Sequence, residues 1–167
     1  MAKRSIRVLF VCLGNICRSP AAEGVFKHLL NESNLDSEIE VDSAGTSSYH
    51  IGEPADARMR TSASARGVEL TSRSRMVSAR DFERFDLLIA MDRSNYRELQ
   101  RLAGAAEGKL RLMSEFLAEA DRSRFPEEVP DPYYGEDDGF EFVLNMLQAA
   151  SPGLLEELQT RLRKQAD

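Results

Sequence analysis

The residues best placed to do chemistry lie in the stretch 8–20, VLFVCLGNICRSP. An apolar run ends on Cys12, and a short polar turn follows that carries Cys17, Arg18 and Ser19. A turn leading from a strand into a helix attracts anions, because the first N–H groups of a helix are unpaired and carry positive dipole character. A tight loop in front of the helix turns further N–H groups inward. Gly14 admits close approaches closed to other residues, and Asn15 tolerates left-handed geometry nearly as well. The same N–H groups, with Arg18, favour a thiolate on Cys12, the nucleophilic form. Arg18 offers a planar fork that matches two phosphate oxygens, which a lysine cannot do. Ser19 can hydrogen-bond the sulfur or help it leave again. A nucleophile, an oxyanion cradle and a bidentate clamp together describe phosphoryl transfer to cysteine.

Other uses of these residues fit less well. A lone cysteine at a strand end is usually a small buried hydrophobe, but Arg18 and Ser19 between strand and helix set Cys12 apart. No G-x-x-x-x-G-K-[ST] loop occurs. With two cysteines, no C-x-x-C and only His28 and His50, a zinc site is disfavoured, and both histidines read as surface or packing residues.

Positioning this loop requires a parallel sheet. Residues 6–11 form a continuous β-branched and aromatic run, the mark of a strand buried on both faces. Ser19-Pro20 reads as an N-cap with proline at the first helical position, opening a helix over 21–30. A second strand is expected over 38–42, a helix from Pro54 to about Arg66 stopped by Gly67, and a short helix capped by Ser78 and Asp81. A third strand follows over 86–91, then a helix capped by Asp92. A fourth strand is expected over 109–113, a short helix over 114–120, a loop over 125–135 and a long helix over 137–164 broken or kinked at Pro152. Strands alternating with helices imply a doubly wound α/β fold, in which ligands bind beyond the carboxyl ends of the strands. Cys12 stands at such an end.

The 167 residues suit one domain, 1–167. A net charge of -6 argues against nucleic acid as partner, and the arginines between Arg58 and Arg80 read as a solvated face. No run of about 18 apolar residues is present, so no membrane insertion is expected. The basic start, MAKR, followed by a short apolar run, reads as the lead into a strand rather than a secretion signal. Two cysteines so placed do not make a disulfide scaffold, and the default compartment is the cytoplasm.

CLGNICRSP resembles, along its whole length, the phosphate-binding loop of the low-molecular-weight protein tyrosine phosphatase family. DPYYG at 131–135 resembles that family's general-acid loop, and DSAGT at 42–46 and FDLLIAMDRSN at 85–95 are similar as well. The resemblance implies a flavodoxin-like, four-stranded parallel sheet in order 2-1-3-4 with helices on both faces. It implies hydrolysis of phosphotyrosine through a phosphocysteine intermediate, without metal or cofactor. By position, Cys12 is the nucleophile, Arg18 the clamp and Asp131 the general acid. Ser19 supports the thiolate, Asn15 and Ser43 brace the loop, and Gly14 and Cys17 complete it. Tyr133 and Tyr134 line the cleft, with Leu13, Ile16 and Tyr49 as further walls. The implied partners are tyrosine-phosphorylated proteins and a cognate tyrosine kinase, with the chain a monomer or weak dimer.

The role of Asp131 has its own chemical argument. A tyrosyl leaving group, with a pKa of about 10, departs far better when protonated, and a placed acid contributes roughly 10²–10⁴-fold. The residue before a proline is biased to extended geometry, so Asp131 belongs on a loop. Aromatic walls favour a long flat phosphotyrosine ring over phosphoserine. One departure is Ser72, which stands where many members carry a histidine that supports the loop. Cys17 is placed to capture an oxidised Cys12 as a disulfide. Three alternatives fit less well. Thioredoxin-coupled arsenate reductases need a further cysteine pair, and no cysteine follows Cys17. Protein-arginine phosphatases carry threonine where this chain has Ile16 and lack the tyrosine pair. A redox-sensing, phosphate-binding module without turnover has no use for Cys12, Arg18 and Asp131 together.

Overall fold

The computed structural model describes residues 4–166; the first three residues of the basic start lie outside them. Strand β1 (Ile6–Cys12) is buried along its length except at Arg7, as a strand covered on both faces must be. It pairs in parallel with β2 (Ile39–Gly45) on one side and β3 (Leu87–Ala90) on the other, and β4 (Leu110–Leu112) lies beyond β3. The order is β2-β1-β3-β4, the flavodoxin-like arrangement expected.

Alternation along β1 divides the core in two. Val8, Phe10 and Cys12 face one cluster, shared with α1 (Arg18–Glu32), α2 (Ala57–Ser64) and α5 (Asp137–Ala166). Leu9 and Val11 face the other, shared with α3 (Asp81–Arg84) and α4 (Arg93–Ala103). The strand order reverses between β1 and β3, which is where open α/β sheets place their ligands.

Several boundaries differ from expectation. Helix α1 begins at Arg18 with Cys17 at its cap position and no side-chain cap. Ser19 is therefore not the cap, and Pro20 lies third in the helix, still within the first turn where its missing N–H costs nothing. Helix α2 begins after Asp56, whose carboxylate caps it, and not at Pro54, which forms a bridge with Arg73. Gly67, in the left-handed region at φ 78, ends the turn that follows. The expected helix over 114–120 is two 3₁₀ turns, Met113–Phe116 and Glu119–Asp121, separated by extended backbone at Leu117 and Ala118. Helix α5 runs through Pro152 without a break. Next to it, Gly153 lets the helix lie against the Phe116 backbone, where an added Cβ would stand 2.1 Å from the carbonyl oxygen.

The arginine-rich stretch is a set of tethers more than a solvated face. Arg75 grips Asp42 and Asp81, and Arg66 reaches Asn145, Gln148 and Glu141 on α5. No described helix is long and apolar enough to cross a membrane.

Candidate active site

Cys12 closes β1 opposite Gly45 of β2. The chain then folds back so tightly that a Cβ on Gly45 would lie 2.7 Å from the Leu13 carbonyl oxygen. Asn15 takes the left-handed conformation, φ 58, and aims its N–H at the Cys12 sulfur at 3.3 Å. The Ser19 hydroxyl lies 3.0 Å from the same sulfur. Released from capping, Ser19 turns back over the loop instead.

A buried polar chain fixes these groups. The Asn15 side-chain amide donates to Ser19 Oγ at 2.7 Å and to Ser43 Oγ at 3.0 Å. Because Ser19 accepts from Asn15, its own proton goes to an acceptor, and the sulfur at 3.0 Å is nearer than the Ala44 carbonyl at 3.4 Å. Ser43 donates to Glu23 Oε1 at 2.6 Å, and Lys27 holds the other Glu23 oxygen. The Arg75 N–H donates to Asn15 Oδ1 and the Ser74 hydroxyl to the Gly14 carbonyl, each at 3.0 Å. Every member has a partner, the condition under which a buried polar network makes a site rigid. Ser72 makes no hydrogen bond to the loop among the described residues; Ser74 and Arg75 supply the bracing from that segment.

Above the sulfur the loop is rich in donors. Among the described residues no protein acceptor takes the N–H of Gly14, Ile16, Cys17 or Arg18, and these are the first positions of α1 and its approach. The Arg18 side chain is 3 % exposed. One terminal nitrogen donates to Asp92 Oδ2 at 2.6 Å and to the Val129 carbonyl at 3.0 Å. That leaves the edge formed by Nε and the other terminal nitrogen, the edge that fits two oxygens of a tetrahedral anion. Burial works against the charge on Arg18, but Cys12, Asp92 and Asp131 outweigh it and hold its proton more tightly than usual.

Asp131 stands on a loop across the cleft, one carboxylate oxygen 3.6 Å from Arg18. Its other oxygen accepts the Tyr133 N–H at 3.1 Å, and the loop's stem is held where the Val129 N–H meets the Met91 carbonyl at the end of β3. The cleft is lined by Leu13, Gly14, Ile16, Cys17, Tyr49, Tyr133 and Tyr134 around Cys12, Arg18 and Asp131. Ile16 is buried, Tyr133 half-buried, and Tyr49 and Tyr134 are open rims at 80 % and 95 % exposure. Tyr133 meets Tyr134 edge-on at 4.9 Å between ring centres. Burial, then Asp56, Cys12 and Asp131, push the Cys17 thiol far above its ordinary value, so it stays protonated.

The structure thus brings all the expected residues to one place: Asn15, Ser19 and Ser43 beneath the floor, the others around the cleft. Sequence reasoning missed several neighbours. His50, expected as a surface or packing residue, lines the cleft, lies over Gly14, and pairs with Glu53. Asp92 was legible only as a helix cap; Oδ1 does accept the Asn95 N–H, while Oδ2 holds Arg18. Glu23 carried one signal, an acid on the inward face of an apolar helix.

On a sheet of this order, such a loop defines a cysteine-dependent phosphatase. The comparisons specify the family. A model described as "Low molecular weight phosphotyrosine protein phosphatase" matches residues 7–165. A low molecular weight protein-tyrosine-phosphatase from Streptomyces coelicolor is 41 % identical over 165 residues, 96 % of this chain and 98 % of the relative. The crystal structure of a protein tyrosine phosphatase from Entamoeba histolytica, with Hepes in its active site, superposes with a TM-score of 0.88 at 43 % identity, covering 93 % of this chain and 98 % of that one. A Drosophila arginine phosphatase superposes with a TM-score of 0.81 at 33 % identity, over 92 % and 98 %. The chain belongs to the low molecular weight phosphotyrosine protein phosphatase family.

Proposed function

We propose that the protein hydrolyses phosphotyrosine on protein substrates, with Cys12 as nucleophile, Arg18 as clamp and Asp131 as acid and then base. The observation that carries this reading is convergence. The Asn15 N–H and Ser19 hydroxyl meet on the Cys12 sulfur, while the free edge of Arg18 and the Asp131 carboxyl face the same cleft. In the first step the sulfur attacks phosphorus, the bond to the tyrosyl oxygen breaks, and Asp131 gives that oxygen its proton. In the second, water attacks the phosphocysteine, Asp131 takes a proton from the water, and the thiolate leaves, steadied by Ser19. The equatorial oxygens meet the loop N–H groups and Arg18 throughout.

Tyr133 and the aliphatic side of Ile16 form the walls that select an aromatic ring. The same two positions favour phosphotyrosine over phosphoarginine, the substrate class in the Drosophila relative's name. The working setting is a single domain over 1–167, monomer or weak dimer, in a reducing cytoplasm with a cognate kinase to supply substrate.

Asp131→Ala is the direct test. Turnover of a phosphotyrosine peptide should fall by about 10²-fold or more yet stay measurable, with phosphate on Cys12 trapped by rapid acid quench and detected by mass spectrometry. Phosphoarginine turning over faster than phosphotyrosine in the wild type, or label absent from Cys12, would refute the assignment.

Oxidation is a second property of the same loop. We infer that hydrogen peroxide converts Cys12 to a sulfenic acid, which Cys17 attacks to form a disulfide with loss of water. Peroxide-treated wild type should regain activity with dithiothreitol and Cys17→Ser should not; equal recovery in both would end the idea.

A further inference from the structure

The loop that carries Asp131 is packed through the buried Pro132 and half-buried Tyr133 but has few hydrogen bonds to the rest of the molecule. Within 131–136 the hydrogen bonds of Tyr133 to Asp131 and of Gly135 to Pro132 are internal. The Arg18–Asp131 pair, at 3.6 Å, is longer than a hydrogen bond. At its end the Glu136 carbonyl accepts the Gly139 N–H as α5 begins; among the described residues the other hydrogen bond from this loop to another element is the one the Arg58 guanidinium donates to the Tyr133 carbonyl at 3.0 Å.

Arg58 is itself firmly placed. Its guanidinium grips both oxygens of Asp56, at 3.1 and 2.9 Å, and its own N–H caps onto the same carboxylate at 2.8 Å. The Asp56 N–H donates to the carbonyl of Ile16, inside the phosphate-binding loop, at 2.7 Å. The guanidinium also stacks on the buried Phe140 ring, 4.7 Å from its centre, and lies 5.7 Å from the Tyr133 ring. An exposed ion pair taken alone contributes little. Here, one planar group answers a carboxylate, a carbonyl and an aromatic face at once, which a lysine cannot do.

We propose that Arg58 is the positioning residue for the general acid: through Asp56 it references the Asp131 loop to the phosphate-binding loop, and so sets the carboxyl over the leaving oxygen. The proposal rests on Asp131 being the proton donor. A purely structural role, stapling this segment to α5, is already filled by Arg66 in the turn after α2, which bonds Glu141, Asn145 and Gln148 and does not touch the loop. Arg66→Met is therefore the control.

The experiment compares kcat/KM on tyrosyl phosphate, a poor leaving group, and on 4-nitrophenyl phosphate, whose leaving group needs little protonation. Arg58→Met should lose about tenfold on the first and under about twofold on the second, since a misplaced acid matters only where a proton is required. Arg58→Lys should recover little of the loss. In an Asp131→Ala background Arg58→Met should add nothing, and Arg66→Met should leave the ratio of the two substrates unchanged. Inhibition by inorganic phosphate should be unaltered in every Arg58 variant. Equal losses on both substrates, a further loss in the Asp131→Ala background, or weakened phosphate inhibition would overturn the proposal. If Asp131→Ala itself leaves the substrate ratio at the wild-type value, the proton-donor reading fails and takes Arg58 with it. If Asp131→Ala shifts the ratio and Arg58→Met does not, only the positioning role fails.

Discussion

Replacing Cys12 by serine is expected to abolish turnover, by about 10⁴-fold or more, while leaving phosphate binding nearly intact. The loss has a simple source. A serine hydroxyl stays protonated at neutral pH, and neither neighbour of the sulfur is a base: Asn15 offers an N–H, and Ser19 offers a hydroxyl whose acceptor side is taken. Binding survives because the cradle does not depend on the sulfur. The loop is held by Ser43, Ser74 and Arg75, and the clamp by Asp92 and the Val129 carbonyl. Initial rates with a phosphotyrosine peptide and calorimetric titration with inorganic phosphate measure the two effects separately. The variant should also hold phosphotyrosine proteins long enough to recover them. Wild-type rates in Cys12→Ser would remove the nucleophile from the scheme.

Arg18→Lys is expected to cost about 10³-fold in kcat/KM despite preserving the charge. One end of the guanidinium is spent on Asp92 and the Val129 carbonyl, which orients the remaining edge toward the anion. A lysine has one nitrogen for all of these tasks. If it stays with Asp92 and Val129, the equatorial oxygens lose both donors of the fork. If it turns to the phosphate, the half-buried Asp92 carboxylate is left with a weaker partner, which is costly. Losing one oxyanion donor typically costs about 10²–10³-fold, and here a pair is lost with its alignment. The measurement is steady-state kinetics together with phosphate affinity, and both should fall. Activity of Arg18→Lys within about tenfold of wild type would show that charge alone suffices.

The order of the sheet came with the family resemblance, whereas the strand itself and the place of the loop were legible because each rests on a local signal. The run at 6–11 could only be a strand buried on both faces, and Cys12, Arg18 and Ser19 declare their chemistry by type and spacing. Asp92 as a cap was legible for the same reason, an acid just before an amphipathic helix. What stayed hidden is the long-range half of each residue's work. Arg18 meets Asp92 across 74 positions and Val129 across 111, and no local pattern encodes such pairs. Ser19 shows the opposite error: a local rule, serine before proline at a helix start, was outcompeted by a tertiary partner, the sulfur. The helix expected over 114–120 failed similarly. Its extended break at Leu117 and Ala118 accompanies burial of Phe116 and Leu117 against a neighbouring α5 that the local sequence does not announce.

Asp92 divides its two oxygens between starting α4 and holding Arg18. Helix register and oxyanion grip therefore cannot be varied independently in this chain. A residue inserted or deleted between β3 and α4 would rotate that carboxylate and let go of the clamp, although the change lies far along the sequence from the nucleophile. The β3–α4 junction is thus closed to the length variation that surface loops ordinarily absorb, and any redesign of the cleft must keep its length fixed.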